Sequence, residues 1–171
     1  MPGTGPARPS LARALGYVAA ATLVFFAAAI AVFGMISLFT DTEVVDDERL
    51  GTLAGPLAIG ASGLVFAAVT LYVMDRASRV RAVGGPRATL VRAAGVGIAV
   101  LVTYPVVLLL AGLWQRLDDP GASVLHALLR PYPWALAGLA FLVVLALLPL
   151  SQAALRGHTP RRWYWENDES E

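Results

Sequence analysis

Four long apolar stretches, separated by short polar segments, make up most of this 171-residue chain. No charged residue interrupts the inner part of any of them. Each contains about the 20 residues that a helix needs to cross ~30 Å of hydrocarbon at 1.5 Å per residue. The pattern predicts four transmembrane helices, over residues 14–39, 53–74, 93–114 and 134–155.

The polar segments divide the chain into three parts. Residues 1–10 contain three Pro and two Gly, and we expect them to form a disordered cytoplasmic N-terminus. Residues 11–155 form a single transmembrane domain, because the four stretches and their short loops leave no room for a separate soluble domain. Residues 156–171 form a cytoplasmic tail that combines Arg, Trp and acidic residues.

The loop between the third and fourth stretches predicts one further element. Within Gly121–Arg130, aliphatic residues recur at helical spacing. This favours a short helix that lies on the outer surface of the membrane. Pro131 and Pro133 then open the fourth span, where a missing backbone N–H costs least.

Charge asymmetry between the loops predicts the orientation. The segment between spans one and two carries five acids and one base, whereas the segment between spans two and three carries five Arg and one acid. Arg also precedes the first span and follows the fourth. The positive-inside rule places these Arg-bearing segments in the cytoplasm. The fold class is therefore an all-α, antiparallel, up-down four-helix transmembrane bundle in the cytoplasmic membrane, with both termini inside.

Aromatic residues fit this arrangement, because Trp and Tyr prefer the headgroup level of a bilayer. Trp114, Tyr132 and Trp134 fall at the predicted outer boundary of the membrane. Tyr104 is the exception, since it lies in the middle of the third span.

Composition narrows the possible functions. Hydrophobic residues make up 57% of the chain and charged residues 15%, against about 25% charged in soluble domains. A net charge of +1 gives no electrostatic reason to expect a nucleic-acid partner. The absence of cysteine excludes disulfides, thiolate metal sites and cysteine nucleophiles. We expect no cofactor, and as partners membrane lipids together with a protein partner or a second copy of the chain.

Candidate metal ligands are few. Asp118, Asp119 and His126 share the third loop, but their spacing matches no common ligand pattern, and a helix-capping acid explains them better. The acidic segment Asp41–Glu48 lacks the glycine turn of a calcium-binding EF-hand loop. We therefore predict no metal site.

Three hydroxyl residues, Ser62, Thr103 and Tyr104, share a depth near the bilayer midplane. Pro105 cannot donate to the carbonyl of Leu101, so the third span should kink there, and Thr103 is placed to satisfy a freed carbonyl. One interpretation is a polar pocket of the kind found in transport sites. The other, which we favour, is helix–helix hydrogen bonding.

Small residues recur four apart, a spacing that lets membrane helices approach closely. In an Ala-rich chain many such matches arise by chance, so they support a compact bundle without identifying a dimer interface. The pairs are Ala27/Ala31, Gly51/Gly55, Gly63/Ala67, Ala93/Gly97 and Gly95/Ala99.

The tail carries candidate interface anchors. Arg161 and Arg162 would meet lipid phosphates, and Trp163 and Trp165 would sit at headgroup level. The acids that follow would then point into the cytosol.

The whole layout resembles a group of small, uncharacterised four-span membrane proteins of actinobacteria. The resemblance rests on the Pro- and Arg-containing N-terminus, the segment FGMISLFTDTEVVDDE and the tail RRWYWENDES. It implies a domain of unknown function with no known active site, so no residue roles are carried over.

These observations favour a non-enzymatic accessory or scaffold subunit, since no metal set, nucleophile–base pair or phosphate-binding loop is visible in the sequence. The alternative is a small oligomeric transporter or channel that uses Ser62, Thr103 and Tyr104 as its polar waist. Intramembrane ionisable residues usually mark proton or ion paths, and their absence from the spans weighs against this alternative.

Overall fold

The computed structural model of the chain describes residues 11–40, 53–79 and 86–155. Throughout these ranges the only regular secondary structure is α-helix. The predicted disordered N-terminus, the acidic first loop and the tail with its anchor residues lie outside the described residues. In chain order the helices are α1 (Leu11–Thr40), α2 (Ala54–Arg79), α3 (Pro86–Trp114), α4 (Pro120–Leu129) and α5 (Pro131–Leu155).

The four long helices form a bundle. Helix α1 packs against α2 and α5, and α3 packs against the same two neighbours, so α1 and α3 lie at opposite corners. The short helix α4 packs mainly against α3 and also touches α5. The predicted all-helical bundle and the predicted loop helix are both confirmed.

All four long helices are long and apolar enough to cross a membrane. Helix α3 begins at Pro86 rather than near residue 93, and α2 continues to Arg79 rather than ending near residue 74. The reason is that an uncharged stretch of sequence corresponds only to the part of a helix that lies in hydrocarbon. Arg is a good helix former, so the helix continues through the charged segment that would lie among headgroups.

Each long helix buries one narrow stripe of side chains, most of them four residues apart. This is the spacing of the ridges by which helices pack into one another's grooves. The buried stripe of α2 contains Ala58, Ser62, Phe66, Thr70 and Met74. The stripes of the other helices, whose members are mostly apolar, include Ala21, Phe25, Ala29 and Phe33 in α1, Ala93, Val96, Val100, Tyr104 and Leu108 in α3, and Tyr132, Leu136, Ala140, Val144 and Leu148 in α5.

The outward faces of the bundle are apolar as well. Leu64 is 75% exposed and Phe39 is 82% exposed, and large aliphatic side chains cover the outside of every long helix. A water-soluble monomer rarely exposes a contiguous apolar patch of more than a few hundred Å². The described helices therefore have the surface of a protein that is surrounded by hydrocarbon.

Glycine allows close approach of helices at two places. A Cβ built at Gly97 of α3 would lie 3.0 Å from the carbonyl oxygen of Ala137 in α5. On α2, the ring of Phe26 from α1 occupies the space that a Cβ at Gly63 would need. By contrast, Gly95 has nothing within 4 Å of such a Cβ and faces outward, so only some of the predicted small-residue pairs serve packing within the bundle.

The end of α3 is fixed by a Schellman motif. The N–H of Leu117 donates to the carbonyl of Gly112 at 3.1 Å, and the N–H of Arg116 donates to that of Leu113 at 3.1 Å. Arg116 has a φ of 54°, the left-handed conformation that this motif needs and that glycine usually supplies. Leu117 packs against the core, which is the hydrophobic contact that commonly accompanies the motif.

Helix α4 is capped at both ends. Asp119 is its N-cap, and the Asp119 Oδ1 atom accepts a hydrogen bond from the N–H of Ala122 at 3.0 Å. At the other end, the indole N–H of Trp134 donates to the carbonyl of Leu128 at 2.9 Å. The predicted role of a capping acid in this loop is confirmed, and Trp134 ties α4 to the first turn of α5.

Candidate functional site

The structure separates the three residues of the predicted polar midplane. Ser62 and Tyr104 lie on the buried stripes of α2 and α3, two helices that pack against each other. Thr103 is only half-buried, because the next position along a helix points about 100° away. Two of the three predicted residues therefore face the interior of the bundle, and the third does not.

The hydroxyl of Thr103 is satisfied by its own helix. Its Oγ1 atom donates to the carbonyl of Ala99 at 2.7 Å, and not to the carbonyl of Leu101 that Pro105 leaves without an N–H donor. The reason is reach, because a helical threonine hydroxyl meets the carbonyl three or four residues earlier. Helix α3 continues through Pro105, and the kink expected there stays a prediction.

Ser62 differs from Thr103 in this respect, and it has a counterpart that sequence analysis missed. The Ser62 Oγ and Thr70 Oγ1 atoms are buried and have no hydrogen-bond partner within the described part of the chain. Both residues are 0% exposed. A buried hydroxyl without a partner costs about 1–3 kcal/mol, and a bilayer interior offers no bulk water to relieve it. These two hydroxyls are therefore the most unusual polar groups among the described residues.

Depth in the bilayer alone does not identify Thr70, which lies eight residues from Ser62 on α2. The signal that identifies it is spacing, because Ser62, Phe66 and Thr70 follow one another at intervals of four on α2. Residues four apart share a helix face. A hydroxyl at each end of such a series, with an aromatic residue between them, indicates one buried stripe with two polar positions.

An aromatic cluster lies between these positions. The rings of Phe66 and Phe25 are stacked, with centroids 4.6 Å apart and planes 7° apart, and both residues are fully buried. Phe26 makes an edge contact with Phe25 and covers Gly63. These contacts join α1 to α2 at Phe66, the position of the buried stripe between Ser62 and Thr70.

Two buried tyrosines occupy another part of the interior. Tyr104 and Tyr132 lie on the buried stripes of α3 and α5, two helices that pack against each other. The ring of Phe33 from α1 meets Tyr132 edge-on, with centroids 5.2 Å apart. Tyr132 lies in the first turn of α5 but is buried, because the stripe that contains Leu136 and Ala140 turns it inward, and its place at the outer boundary of the membrane stays a prediction. Trp114 and Trp134 are exposed, which fits the belt.

Charged groups of the described residues lie near the helix ends. Arg13, Arg76 and Arg87 are exposed at the start of α1, the end of α2 and the start of α3, respectively. In the third loop, Asp119 caps α4, and the His126 Nε2 atom lies 3.3 Å from a guanidinium nitrogen of Arg130. No group of three His, Cys, Asp or Glu that could hold a metal ion occurs among the residues with described placement.

The remaining predicted site residues cannot be placed. Arg161, Arg162, Trp163 and Trp165 belong to the part of the tail that lies outside the described ranges. Their role as membrane anchors stays a prediction.

Residues 13–171 match a family of unknown function, DUF6121. Neither the curated proteins nor the solved structures include a match to the chain. The match extends from the first turn of α1 through the rest of the described bundle and the tail that follows it.

Proposed function

Since the chain belongs to DUF6121, a family of unknown function, we propose that it is a non-enzymatic integral membrane protein that serves as an accessory or scaffold subunit. It would lie in the cytoplasmic membrane as an antiparallel four-helix bundle with both termini in the cytosol. The resemblance to small four-span proteins of actinobacteria supports this location.

Contacts between helices support the antiparallel arrangement. Phe33 lies toward the end of α1 and contacts Tyr132 at the start of α5. Short connections between packed neighbours, such as residues 80–85 between α2 and α3, are also typical of antiparallel helices.

The distribution of Arg supports the orientation. Arg13, Arg76 and Arg87 lie at helix ends that an antiparallel bundle brings to one side of the membrane. The acidic loop after α1 and the charge-balanced loop after α3 belong to the opposite side. Because Arg-rich loops stay in the cytoplasm, the end that carries these residues would face the cytosol.

The outward face of α1 is the observation that best supports a scaffold role. In the apolar membrane-spanning part of α1 only 17% of the residues are buried, the smallest share among the four long helices. Gly16, Ala20, Ala27, Ala31 and Gly34 are all exposed there, and a Cβ built at either glycine would meet nothing within 4 Å. Small residues let a second helix approach closely where no hydrophobic effect drives association. Helix α1 therefore offers a surface that suits a helix of a partner subunit.

The test is co-purification of the tagged full chain in a mild detergent, with quantitative identification of the proteins that accompany it. We expect a second membrane protein in fixed stoichiometry, which the double variant Ala27→Leu/Ala31→Leu loses. The matched control is Ala94→Leu, an exposed alanine on α3, which should keep the partner. A monodisperse homo-oligomer with no other protein would contradict an accessory role.

The alternative function is a small oligomeric transporter or channel, and the unpartnered hydroxyls of Ser62 and Thr70 favour it. Potassium flux into proteoliposomes distinguishes the two functions. A channel lined by the buried groups would lose flux in Tyr104→Phe and keep it in Thr103→Val, since Thr103 bonds to its own helix. No flux in the parent protein would exclude a potassium-conducting channel.

A further inference from the structure

Hydroxyl groups in the long helices behave in two different ways. Thr22, Thr40 and Thr103 each donate to the carbonyl four residues earlier, at 2.7–2.8 Å. Ser151 donates to the carbonyl three residues earlier at 2.9 Å. Ser62 and Thr70, in contrast, form no such bond and have no partner among the described residues. Both residues are fully buried on the inward stripe of α2.

The two hydroxyls are placed symmetrically within α2. Ser62 is eight residues from the first residue of the helix, Ala54, and Thr70 is nine residues from the last, Arg79. At 1.5 Å per residue these separations correspond to about 12 Å and about 14 Å along the axis. Phe66 lies midway between them and is stacked on Phe25. Each hydroxyl is therefore nearer to a different end of the bundle.

A buried hydroxyl in a membrane protein needs at least a group that accepts its hydrogen bond. Among the described residues, neither its own helix nor a neighbouring side chain supplies that group. Buried water commonly does so, bridging polar atoms that would otherwise be unsatisfied. The carbonyl four residues earlier, that of Ala58 for Ser62 and of Phe66 for Thr70, has a second lone pair to offer the same water.

We propose that Ser62 and Thr70 each bind water inside the bundle, in two separate compartments divided by the stacked rings of Phe25 and Phe66. The ring pair offers no hydrogen-bonding group, and both rings are fully buried. Water reaches Ser62 from the end of the bundle where α2 begins and reaches Thr70 from the end where α2 finishes. This inference does not depend on a scaffold role or on which end faces the cytosol.

Because the chain contains no cysteine, single cysteines report water directly. The variants are Ser62→Cys and Thr70→Cys, with Leu64→Cys as the control, since Leu64 lies on the outward apolar face. The probe is the silver ion in chloride-free buffer, which is small, carried by water and captured by the thiolate. Silver is added to spheroplasts or to inside-out vesicles. The protein is then denatured, and reaction with silver is measured as the loss of labelling by a fluorescent maleimide.

We expect both interior cysteines to react at least about ten-fold faster than Leu64→Cys, because a thiol ionises only where water is present. We also expect them to react from opposite sides of the membrane. Rates equal to that of Leu64→Cys, or reaction of both cysteines from the same side, would overturn the proposal.

A stability measurement covers the case in which a cysteine variant does not fold. Ser62→Ala and Thr70→Val remove the hydroxyls with little change in side-chain volume. Replacing a dry, unsatisfied hydroxyl by an apolar group stabilises a protein, whereas removing a hydrated one does not. We expect the Tm of both variants to stay unchanged or fall, and a clear rise in both would contradict bound water.

Discussion

The contact at Gly97 gives a prediction whose size can be worked out from the structure. A Cβ at this position would lie 3.0 Å from the carbonyl oxygen of Ala137 and 3.4 Å from the Cβ of Phe141, both on α5. The carbonyl belongs to the helix backbone and cannot rotate away as a side chain would. In Gly97→Ala, therefore, α3 and α5 must separate by a few tenths of an ångström.

Two opposing effects set the magnitude. Overpacking of a well-packed contact costs about 1–3 kcal/mol. Alanine, however, is favoured over glycine inside a helix by about 0.8–1.0 kcal/mol. The matched variant Gly95→Ala gains the same helix propensity without a clash, since Gly95 lies two residues away on α3 with nothing within 4 Å of its Cβ. The gain in helix propensity is the same in both variants and cancels when their stabilities are compared. The steric contact with α5 remains, so Gly97→Ala should be about 1–3 kcal/mol less stable than Gly95→Ala.

The assay is unfolding of both purified variants by sodium dodecyl sulfate titrated into maltoside micelles, followed by far-UV circular dichroism. Gly97→Leu and Gly95→Leu extend the comparison. Leucine at residue 97 should prevent α3 from packing on α5, whereas leucine at residue 95 faces lipid and should be tolerated. Equal stability of Gly97→Ala and Gly95→Ala would refute the close approach of the two helices at this glycine.

Four further predictions concern single contacts. Asp119→Ala removes the N-cap of α4 and should destabilise that helix by about 1 kcal/mol, read as faster amide hydrogen exchange confined to α4. Trp134→Phe removes the hydrogen bond that ties α4 to α5 and should cost about 0.5–1.5 kcal/mol in the detergent titration, whereas a variant as stable as the parent would show that the bond contributes nothing. Arg116→Gly relieves a left-handed φ and should raise stability by about 1 kcal/mol, so a loss would contradict the Schellman ending of α3. Phe66→Leu keeps an apolar side chain but loses ring stacking and some volume, and should lower stability by at least about 0.5–1.5 kcal/mol, so unchanged stability would show that the stacked contact contributes nothing.

Much of the fold could be predicted because the membrane simplifies the problem. Uncharged runs of the right length identify helices, since a backbone in hydrocarbon must satisfy its own hydrogen bonds. The short helix α4 was also predictable, because its aliphatic residues recur at helical spacing next to a capping acid and two prolines. Helix ends were less predictable, as at Pro86, because a helix continues beyond the hydrocarbon into charged sequence.

The candidate site was predicted only in part, because depth in the membrane does not determine direction around a helix. Ser62, Thr103 and Tyr104 are predicted to share a depth, yet Thr103 is only half-buried whereas the other two are fully buried. Thr70 lies eight residues further along α2 than Ser62 and is fully buried. In an apolar chain nearly every position is hydrophobic, so the contrast between polar and apolar faces that reveals a core in water is missing. Contacts between helices therefore decide which hydroxyls face the interior of the bundle.

The central claim is that α3 and its neighbours cross a bilayer with their Arg-bearing ends in the cytosol. Single cysteines at Ala122 and Arg87, both exposed and lying beyond opposite ends of the apolar part of α3, test it most directly. In intact cells, a membrane-impermeant maleimide should label Ala122→Cys, and it should label Arg87→Cys only after permeabilisation. Labelling of Arg87→Cys in intact cells, or of both positions from the same side, would contradict the claim.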